Sequence, residues 1–230
     1  MDTNDRMNEW GCRWVVVDIE TTGLDAAKQG IVEIAAKTDE GEVFELQCRP
    51  EGAAMDVEPE ALQVNGYLIN LEEFEKPDCA AVDALALEDD LLPQRWAVAK
   101  LLGWLMKKNP AGRWTLVGRS PKFDLGFLQK ASGLAYRVFD REPIDLHDLV
   151  RFELVARGIR PARFTTNERY ALLGWPPEPL PHRALNGVES EWVVYQQFLK
   201  WRARDWGGYY GGGCGAKATP LRDGLGGLQA

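Results

Sequence analysis

Residues 15–23 of the chain read VVVDIETTG, and they decide its fold. A run of β-branched residues favours a strand, and the glycine that follows favours a turn. Strand side chains alternate between the two faces of a sheet, so Asp18 and Glu20 share one face while Val17 and Ile19 lie on the other. Two carboxylates on an internal strand repel each other and lose hydration, and a divalent cation would relieve both effects. An edge strand whose acids face water is the alternative, and for an isolated Asp-x-Glu it is the more frequent case.

The composition is that of an ordinary globular protein. The chain has 230 residues, of which 45% are hydrophobic and 27% charged, and this length favours one domain with a large core. No apolar stretch approaches the roughly 20 residues that a membrane helix needs, so we expect a cytoplasmic protein with no membrane partner. The cysteines form no CxxC pair and indicate neither a zinc site nor a disulfide framework; they are Cys12, Cys48, Cys79 and Cys214.

The charge is distributed unevenly along the chain. A net charge of −8 argues against a polyanionic partner, but residues 1–110 carry 23 acids against 10 bases and residues 111–230 carry 12 acids against 17 bases. Thirteen of those 17 bases are arginine, which suits forked contacts with phosphate, although solvated helix faces explain the same pattern. Metal-bridged phosphate chemistry would let an acidic protein hold nucleic acid with few basic contacts.

The order of the predicted elements indicates an α/β sandwich. The first strand is followed by strands over 31–37 and 43–48, joined by a hairpin at 39–41, so the first three strands are antiparallel. A fourth strand covers 114–118, and helices are predicted over 59–65, 93–108, 121–131, 146–157, 166–173 and 183–202, with Asp145 as a cap. The core candidates of the last helix are Leu185, Val188, Trp192, Val193, Tyr195 and Leu199.

Three segments follow from composition along the chain. Residues 1–11 are polar and predict a flexible N-terminus, and residues 12–204 form the folded domain. Residues 205–230 are rich in glycine and poor in apolar side chains, which predicts a flexible tail.

Two later stretches of the sequence carry further candidate catalytic residues. Residues 118–128 read GRSPKFDLGFL, and residues 182–189 read HRALNGVE at the start of the last helix. Together the three stretches resemble the motifs of the DEDDh 3′→5′ exonucleases, which include polymerase proofreading subunits, ribonuclease T and oligoribonuclease-like enzymes. The resemblance covers roughly residues 13–200. It implies a ribonuclease H-like mixed sheet, with three antiparallel strands and then parallel additions, flanked by helices.

The resemblance also implies a reaction and its residues. Asp18, Glu20 and Asp124 would hold two divalent cations, Mg²⁺ or Mn²⁺, and His182 would be the general base. The enzyme would hydrolyse terminal phosphodiesters of DNA or RNA from single-stranded or frayed 3′ ends and release nucleoside 5′-monophosphates. Taken singly, Asp124 is more often a solvated helix acid and His182 a structural histidine, as we expect for His147.

The substrate-binding residues are implied in the same way. The hydroxyl and backbone groups of Thr21 and Thr22 would meet the 3′-terminal nucleotide, and Leu24 would wedge against its base. Asn65 stands where relatives carry histidine, and Arg119 would contact a phosphate or pair with an acid. Gly23 and Phe123 complete this set. A polymerase or a second copy of the chain is a further candidate partner.

One position departs from the resemblance. The fourth acid of the superfamily lies five residues after the histidine, where this chain has Gly187, and helix formation does not ask for a glycine there. Glu191 is a candidate substitute, because it lies four residues further on the same helix face and its side chain would hang back over the gap at Gly187, whereas Glu189 faces away. A surface position for Glu191 is the alternative.

The missing acid leaves three interpretations of function. The first is an active exonuclease, and the second is a nuclease-derived binding or scaffold module that has lost the chemistry. The third is an unrelated α/β protein with coincidental motifs, which would bind no metal near Asp18.

Overall fold

A five-stranded mixed sheet lies at the centre of the fold in this computed structural model, which describes residues 13–51, 57–65, 91–110, 112–177 and 182–210. Its strand order is β3-β2-β1-β4-β5. The β1–β2 and β2–β3 pairs are antiparallel, and β4 and β5 are parallel additions, which confirms the predicted sheet. The strands are β1 (Arg13–Thr21), β2 (Ile31–Thr38), β3 (Val43–Gln47), β4 (Trp114–Gly118) and β5 (Ile144–Asp145).

Helices cover both faces of the sheet. They are α1 (Pro59–Asn65), α2 (Gln94–Lys108), α3 (Pro121–Ala131), α4 (Ala135–Val138), α5 (Leu146–Ala156), α6 (Thr166–Leu172) and α7 (Ala184–Tyr210), with a 3₁₀ turn at Pro161–Arg163. The cap predicted for α5 is confirmed, because the backbone N–H of His147 donates to Oδ1 of Asp145 at 2.8 Å. In the described residues no helix is both long and apolar enough to cross a membrane.

The alternation along β1 divides the core into two clusters. Val15, Val17 and Ile19 pack with α2, α3 and α4 on one face, whereas Trp14 and Val16 pack with α5, α6 and α7 on the other. Since β1 lies between β2 and β4, the edge-strand alternative is wrong. The acids of β1 therefore belong to an internal strand, on the face that α7 covers.

Some predicted details differ from the structure. The last helix begins at Ala184 rather than Arg183 and continues to Tyr210, past residue 205, where a flexible tail is predicted. Val193 is 36% exposed and is not a core residue, because Val194 takes the buried position instead. The short elements β5, α4 and the 3₁₀ turn are absent from the prediction, since two to four residues give little periodicity.

Other predictions fall outside the described residues. They concern the N-terminal segment 1–11, most of the tail over 211–230, the turn at Gly66, and three of the four cysteines. The remaining one, Cys48, is buried and free, and its burial raises the pKa of the thiol to about 12. It is a core side chain, as the sequence indicates.

Candidate active site

A groove of about 360 Å³ lies at the carboxyl end of β1. Its walls come from β1, the turn after it, α1, the first turn of α3 and the segment before α7. The groove brings together three of the four predicted catalytic residues, Asp18, Glu20 and His182, although 164 positions of sequence separate the first from the last. Its other lining residues are Ile19, Thr21, Leu24, Glu58, Glu60, Ala61, Val64, Asn65 and Phe123.

Asp124 lies buried beside the groove, in the first turn of α3. The chain enters α3 through Ser120, whose φ of 58° is left-handed, and Pro121 occupies the first helical position. This turn directs Asp124 at β1, where its Oδ1 accepts a hydrogen bond from the backbone N–H of Ile19 at 3.2 Å. Asp124 is therefore not the solvated helix acid of the alternative reading.

The pKa of the Asp124 carboxyl is raised well above its usual value. Burial is the largest cause, and the nearby carboxylates of Glu191 and then Glu20 add to it. Like charges that converge in a buried place favour the neutral acid when no cation is present. Asp124, Glu191 and Glu20 thus act on one another electrostatically, which connects α3, α7 and β1 at one point.

The space beside Gly187 is occupied by Asp18. A Cβ added to Gly187 would lie 2.0 Å from Oδ2 and 2.8 Å from Cγ of Asp18, far inside van der Waals contact. Because glycine has no side chain, the Asp18 carboxylate can rest directly against the first turns of α7. Helix formation does not explain this glycine, but the close approach of β1 does.

Glu191 is buried, at 3% exposure, so a surface position for it is wrong. Its Oε1 accepts a hydrogen bond from the backbone N–H of Arg119 at 2.9 Å. Its Oε2 lies against Gly118, where an added Cβ would be 3.2 Å away. Glu191 thus reaches the end of β4 rather than hanging over Gly187. By contrast, Glu189 pairs with Lys37 at 2.6 Å, on another side of α7.

His182 stands two residues before the start of α7 and at the groove. Its backbone N–H donates to the carbonyl of Val64 in α1 at 3.4 Å. The other histidine, His147, lies on α5 with its ring near Tyr170 and the hydroxyl of Ser120. The two histidines therefore occupy different surroundings, and His182 is the one beside the carboxylates of β1.

The predicted substrate-binding residues divide into two groups. Leu24, at 76% exposure, and Phe123 line the groove together with Thr21 and Asn65. The Thr21 hydroxyl donates to the Gly23 carbonyl at 2.6 Å, and the Asn65 amide donates to the Thr21 carbonyl at 3.2 Å. Both polar groups thus order the turn and the groove wall.

Three other predicted residues are not in the groove lining given above. Thr22 is buried, and its hydroxyl accepts from the Gly30 N–H at 3.0 Å. Gly23 makes room for the side chain of Gln29, which would meet an added Cβ at 2.5 Å. The Arg119 guanidinium donates to Ser190 at 3.0 Å and lies over the Tyr170 ring. These three residues therefore stabilise the structure around the groove and do not line it.

Two acids of the groove are absent from the sequence prediction. Glu58 and Glu60 line it from α1 and the residue before that helix, and the Glu58 backbone N–H donates to the Thr22 carbonyl at 2.7 Å. The helix itself is predicted correctly. Nothing in the pattern of acids over residues 50–93 indicates which of them face β1, since that depends on how α1 docks.

The donor chemistry of the site fits hard divalent cations. Carboxylates from β1, α3 and α7 converge here, and their mutual repulsion, visible in the raised pKa of Asp124, is what a cation would relieve. In the part of the chain that the structure describes, no three His, Cys, Asp or Glu side chains already stand in a metal-binding arrangement. Asp18 in particular lines the groove and rests against the first turns of α7.

Comparisons with known proteins give one nuclease relative and a shared fold. No protein-family model matches the chain. Ribonuclease T of Klebsiella pneumoniae is 31% identical over 152 residues, and the match covers 62% of this chain and 62% of that relative. The chain therefore matches less than two thirds of the relative's length.

Solved structures show the same fold at low sequence identity. The nuclease domain of 3′hExo, a DEDDh family member bound to rAMP, superposes with a TM-score of 0.54 at 13% identity and covers 82% of this chain and 92% of that one. The zinc-bound form of the E. coli ExoI–ssDNA complex gives a TM-score of 0.60 at 17% identity, with coverage of 86% and 42%. These likenesses establish the fold, in which the groove occupies the end of the central strand.

Proposed function

We propose, from the premise that the chain resembles the DEDDh 3′→5′ exonuclease superfamily in its motifs and its fold, that it hydrolyses terminal phosphodiester bonds of DNA or RNA from the 3′ end. The observation that carries the proposal is the meeting of Asp18, Glu20 and His182 in one groove, with Asp124 buried behind them. The nuclease relative and the single-stranded DNA bound by one structural neighbour support it.

Two divalent cations, Mg²⁺ or Mn²⁺, would be held by Asp18, Glu20 and Asp124, with Glu191 as the fourth acid. When bound, such ions acidify water and stabilise the charge of the phosphoryl transition state. Asp18 rests against Gly187 and Asp124 is fixed by the Ile19 N–H. Both carboxylates are therefore held at the end of β1, where the cations would bind.

His182 removes a proton from the attacking water as its oxygen bonds to the terminal phosphorus. The bond from phosphorus to the 3′ oxygen of the penultimate nucleotide then breaks with its electron pair on that oxygen, which takes a proton from solvent and becomes the new 3′ hydroxyl, and the nucleoside 5′-monophosphate is released. An imidazole suits this task because its unperturbed pKa of about 6.5 lies close to neutral pH. The position of His182 at the groove, beside the acids of β1, makes it the base of choice.

The terminal nucleotide is held between the exposed side chain of Leu24 and the ring of Phe123. Both residues line the groove, and Phe123 is supported by Phe127, whose ring centre is 5.0 Å away. Apolar and aromatic surfaces contact any base through its face, so they accept DNA and RNA alike. Thr21 and Asn65 keep the wall in place through their own hydrogen bonds.

The direction and product of digestion test this proposal. With Mg²⁺ or Mn²⁺, the protein should shorten a 5′-labelled single-stranded oligonucleotide stepwise and release mononucleotides that carry the 5′-phosphate. A matched oligonucleotide whose 3′ end is blocked should survive. Internal cuts that yield fragments of mixed length, or equal digestion of the blocked substrate, would contradict an exonuclease that starts at the 3′ end.

Glu191 supplies the fourth carboxylate in this proposal. It is buried, lies beside the end of β4 and acts electrostatically on Asp124. Glu191→Gln should weaken Mn²⁺ binding by roughly tenfold or more, because it removes one anionic ligand. Calorimetric titration measures this, with Glu189→Gln on the same helix as the control. Unchanged affinity and stoichiometry in Glu191→Gln would rule the substitution out.

A binding module without turnover is the second candidate, and Gly187 is the observation that favours it. An aspartate at 187 would begin where the Asp18 carboxylate now lies, so Asp18 would have to turn. If the chain is active, Gly187→Asp should change the rate of digestion modestly. A large gain from near zero would favour the binding module. Gly187→Ala is the control, since it displaces Asp18 in the same way without adding a carboxylate.

A further inference from the structure

An ion pair between a buried carboxylate and a partly exposed arginine involves the residue next to His182 in the chain. The Nε atom of Arg183 donates to Oε2 of Glu33 at 2.9 Å, and the Glu33 side chain is 1% exposed. Arg183 follows His182 in the chain and precedes the first residue of α7. A carboxylate so fully removed from water needs a cationic partner, so the guanidinium is firmly held at this position.

The sheet register places this pair next to the acids of the groove. In the β1–β2 ladder Glu20 stands opposite Glu33, and Asp18 stands opposite Ala35. Residues directly opposite in an antiparallel pair project to the same face, with Cβ atoms about 5 Å apart. Two glutamates in that relation repel each other, and Arg183 offsets the charge of one of them. The same contact brings the backbone of His182 to the face that carries Glu20.

His182 is therefore attached on two sides. Its own N–H bonds to the Val64 carbonyl of α1 at 3.4 Å, and the side chain of its neighbour binds β2. The backbone bond anchors the peptide at one point, and the ion pair of the next residue anchors it at a second point and restricts its direction. An imidazole that removes a proton has to stand within hydrogen-bond reach of the water, so its direction matters for the rate.

We infer that Glu33 and Arg183 form a positioning pair that holds the imidazole of His182 toward Asp18 and Glu20. This inference rests on the proposed function, in which His182 is the general base. Neither residue of the pair touches the substrate in this account; both act through His182.

The chain contains a matched control for the pair. Glu153 in α5 is likewise buried, with a side chain 4% exposed, and Nε of Arg157 pairs with it at 2.8 Å. Glu153 lies in α5, which packs in the same core cluster as α7, and it is not among the residues that line the groove. Glu153→Gln thus removes an equivalent buried charge, and Glu33→Gln can be compared with it at similar loss of stability.

Kinetics provide the first test. Glu33→Gln should lower kcat about 10- to 100-fold with little change in KM, because misplacement of a catalytic group acts on the chemical step. Glu153→Gln should change kcat less than about twofold. In a His182→Ala background, Glu33→Gln should cause no further loss of the residual rate. A loss that persists in that background, or an equal loss in Glu153→Gln, would overturn the inference.

Nuclear magnetic resonance provides a test that does not need activity. The chain has two histidines, so its imidazole ring signals are assigned with His182→Ala alone. Glu33→Gln should shift or broaden the His182 ring signals and leave those of His147 unchanged. Arg183→Lys, which keeps the charge but not the planar guanidinium, should act in the same direction and serves if Glu33→Gln does not fold. Unmoved His182 signals would contradict the pair, whereas an inactive wild-type protein would contradict the proposed function instead.

Discussion

Gly187 has a physical reason that lies on another element. The carboxylate of Asp18 takes the space that any side chain at 187 would need. A glycine within a helix lowers stability by about 1 kcal/mol relative to alanine, so its presence here marks a close approach of β1 and α7. The acid that the superfamily places at this position is then supplied, in our proposal, by Glu191.

Gly187→Ala should therefore lower the free energy of unfolding, although a helical glycine replaced by alanine normally raises it. The added Cβ would lie 2.0 Å from Oδ2 of Asp18, whereas one added to Gly103 in α2 would meet nothing within 4 Å. Gly103→Ala should gain about 0.5 to 1 kcal/mol. Urea unfolding of the metal-free protein measures both variants. An equal gain at both positions would show that Asp18 does not rest against α7.

Residue types and motif spacing allow much of the site to be anticipated. Period-two alternation predicts that Asp18 and Glu20 share one face of the strand. The order of the motifs predicts that Asp124 lies in the first turn of a helix and that His182 lies at the start of the last one. The roles of Thr22 and Arg119 do not follow from either, because each depends on a hydrogen bond to a residue outside its own motif, Gly30 in one case and Ser190 in the other. A linear pattern gives no information on such contacts.

At the scale of elements, three hydrogen bonds connect α1 and the residue before it to the end of β1, to the turn after β1 and to the segment before α7. They run from Asn65 to the Thr21 carbonyl, from the Glu58 N–H to the Thr22 carbonyl, and from the His182 N–H to the Val64 carbonyl. The helix has seven residues, too few to be stable by itself. Its position as the groove wall therefore depends on these contacts and on the burial of Leu62.

Asn65→Ala should destabilise the protein by about 1 to 3 kcal/mol, because it leaves the buried carbonyl of Thr21 without this donor. It should also raise KM for the oligonucleotide, since the groove wall loosens. Gln63→Ala, at an exposed position of the same helix, should alter stability by less than about 0.5 kcal/mol. Thermal unfolding and initial rates measure the two effects. Equal behaviour of the two variants would mean that α1 does not depend on Asn65.

The element order is predictable from the sequence, and the docking of the elements is less so. The apolar periodicity of the helix and the proline at 121 predict α3 correctly, and its neighbouring strand β4 is also predicted correctly. The end of α7 at Tyr210 is not, because its last residues are rich in glycine and aromatic side chains and suggest no helix. The prediction followed the low helix propensity of these residues, whereas in the structure the long amphipathic helix continues through them.

At the scale of the whole molecule, the central strand does two tasks. Val15, Val17 and Ile19 belong to one core cluster, and Trp14 and Val16 to the other, so β1 is held from both sides. The same strand then ends in the two acids of the groove. Because the strand is held on both faces, its carboxylates stay in place. The helices α1, α3 and α7 approach the end of this strand, and each contributes either a further functional residue or a wall of the groove.

The predicted fold is confirmed as a whole, including the mixed sheet with its antiparallel first three strands and parallel additions, and solved structures share it. The sequence could anticipate this because three separate motifs have to meet for the chemistry, and their order in the chain is compatible with one sheet topology.

Degradation of a 5′-labelled single-stranded oligonucleotide by the wild-type protein and by Asp18→Ala tests the central claim most directly. With Mg²⁺ or Mn²⁺ present, the wild-type protein should shorten the oligonucleotide from its 3′ end, and chelation of the metal should stop it. Asp18→Ala should abolish the reaction, while Asp148→Ala, at an exposed position of α5, should leave it unchanged. No shortening by the wild-type protein at any metal concentration, or full activity of Asp18→Ala, would contradict the account.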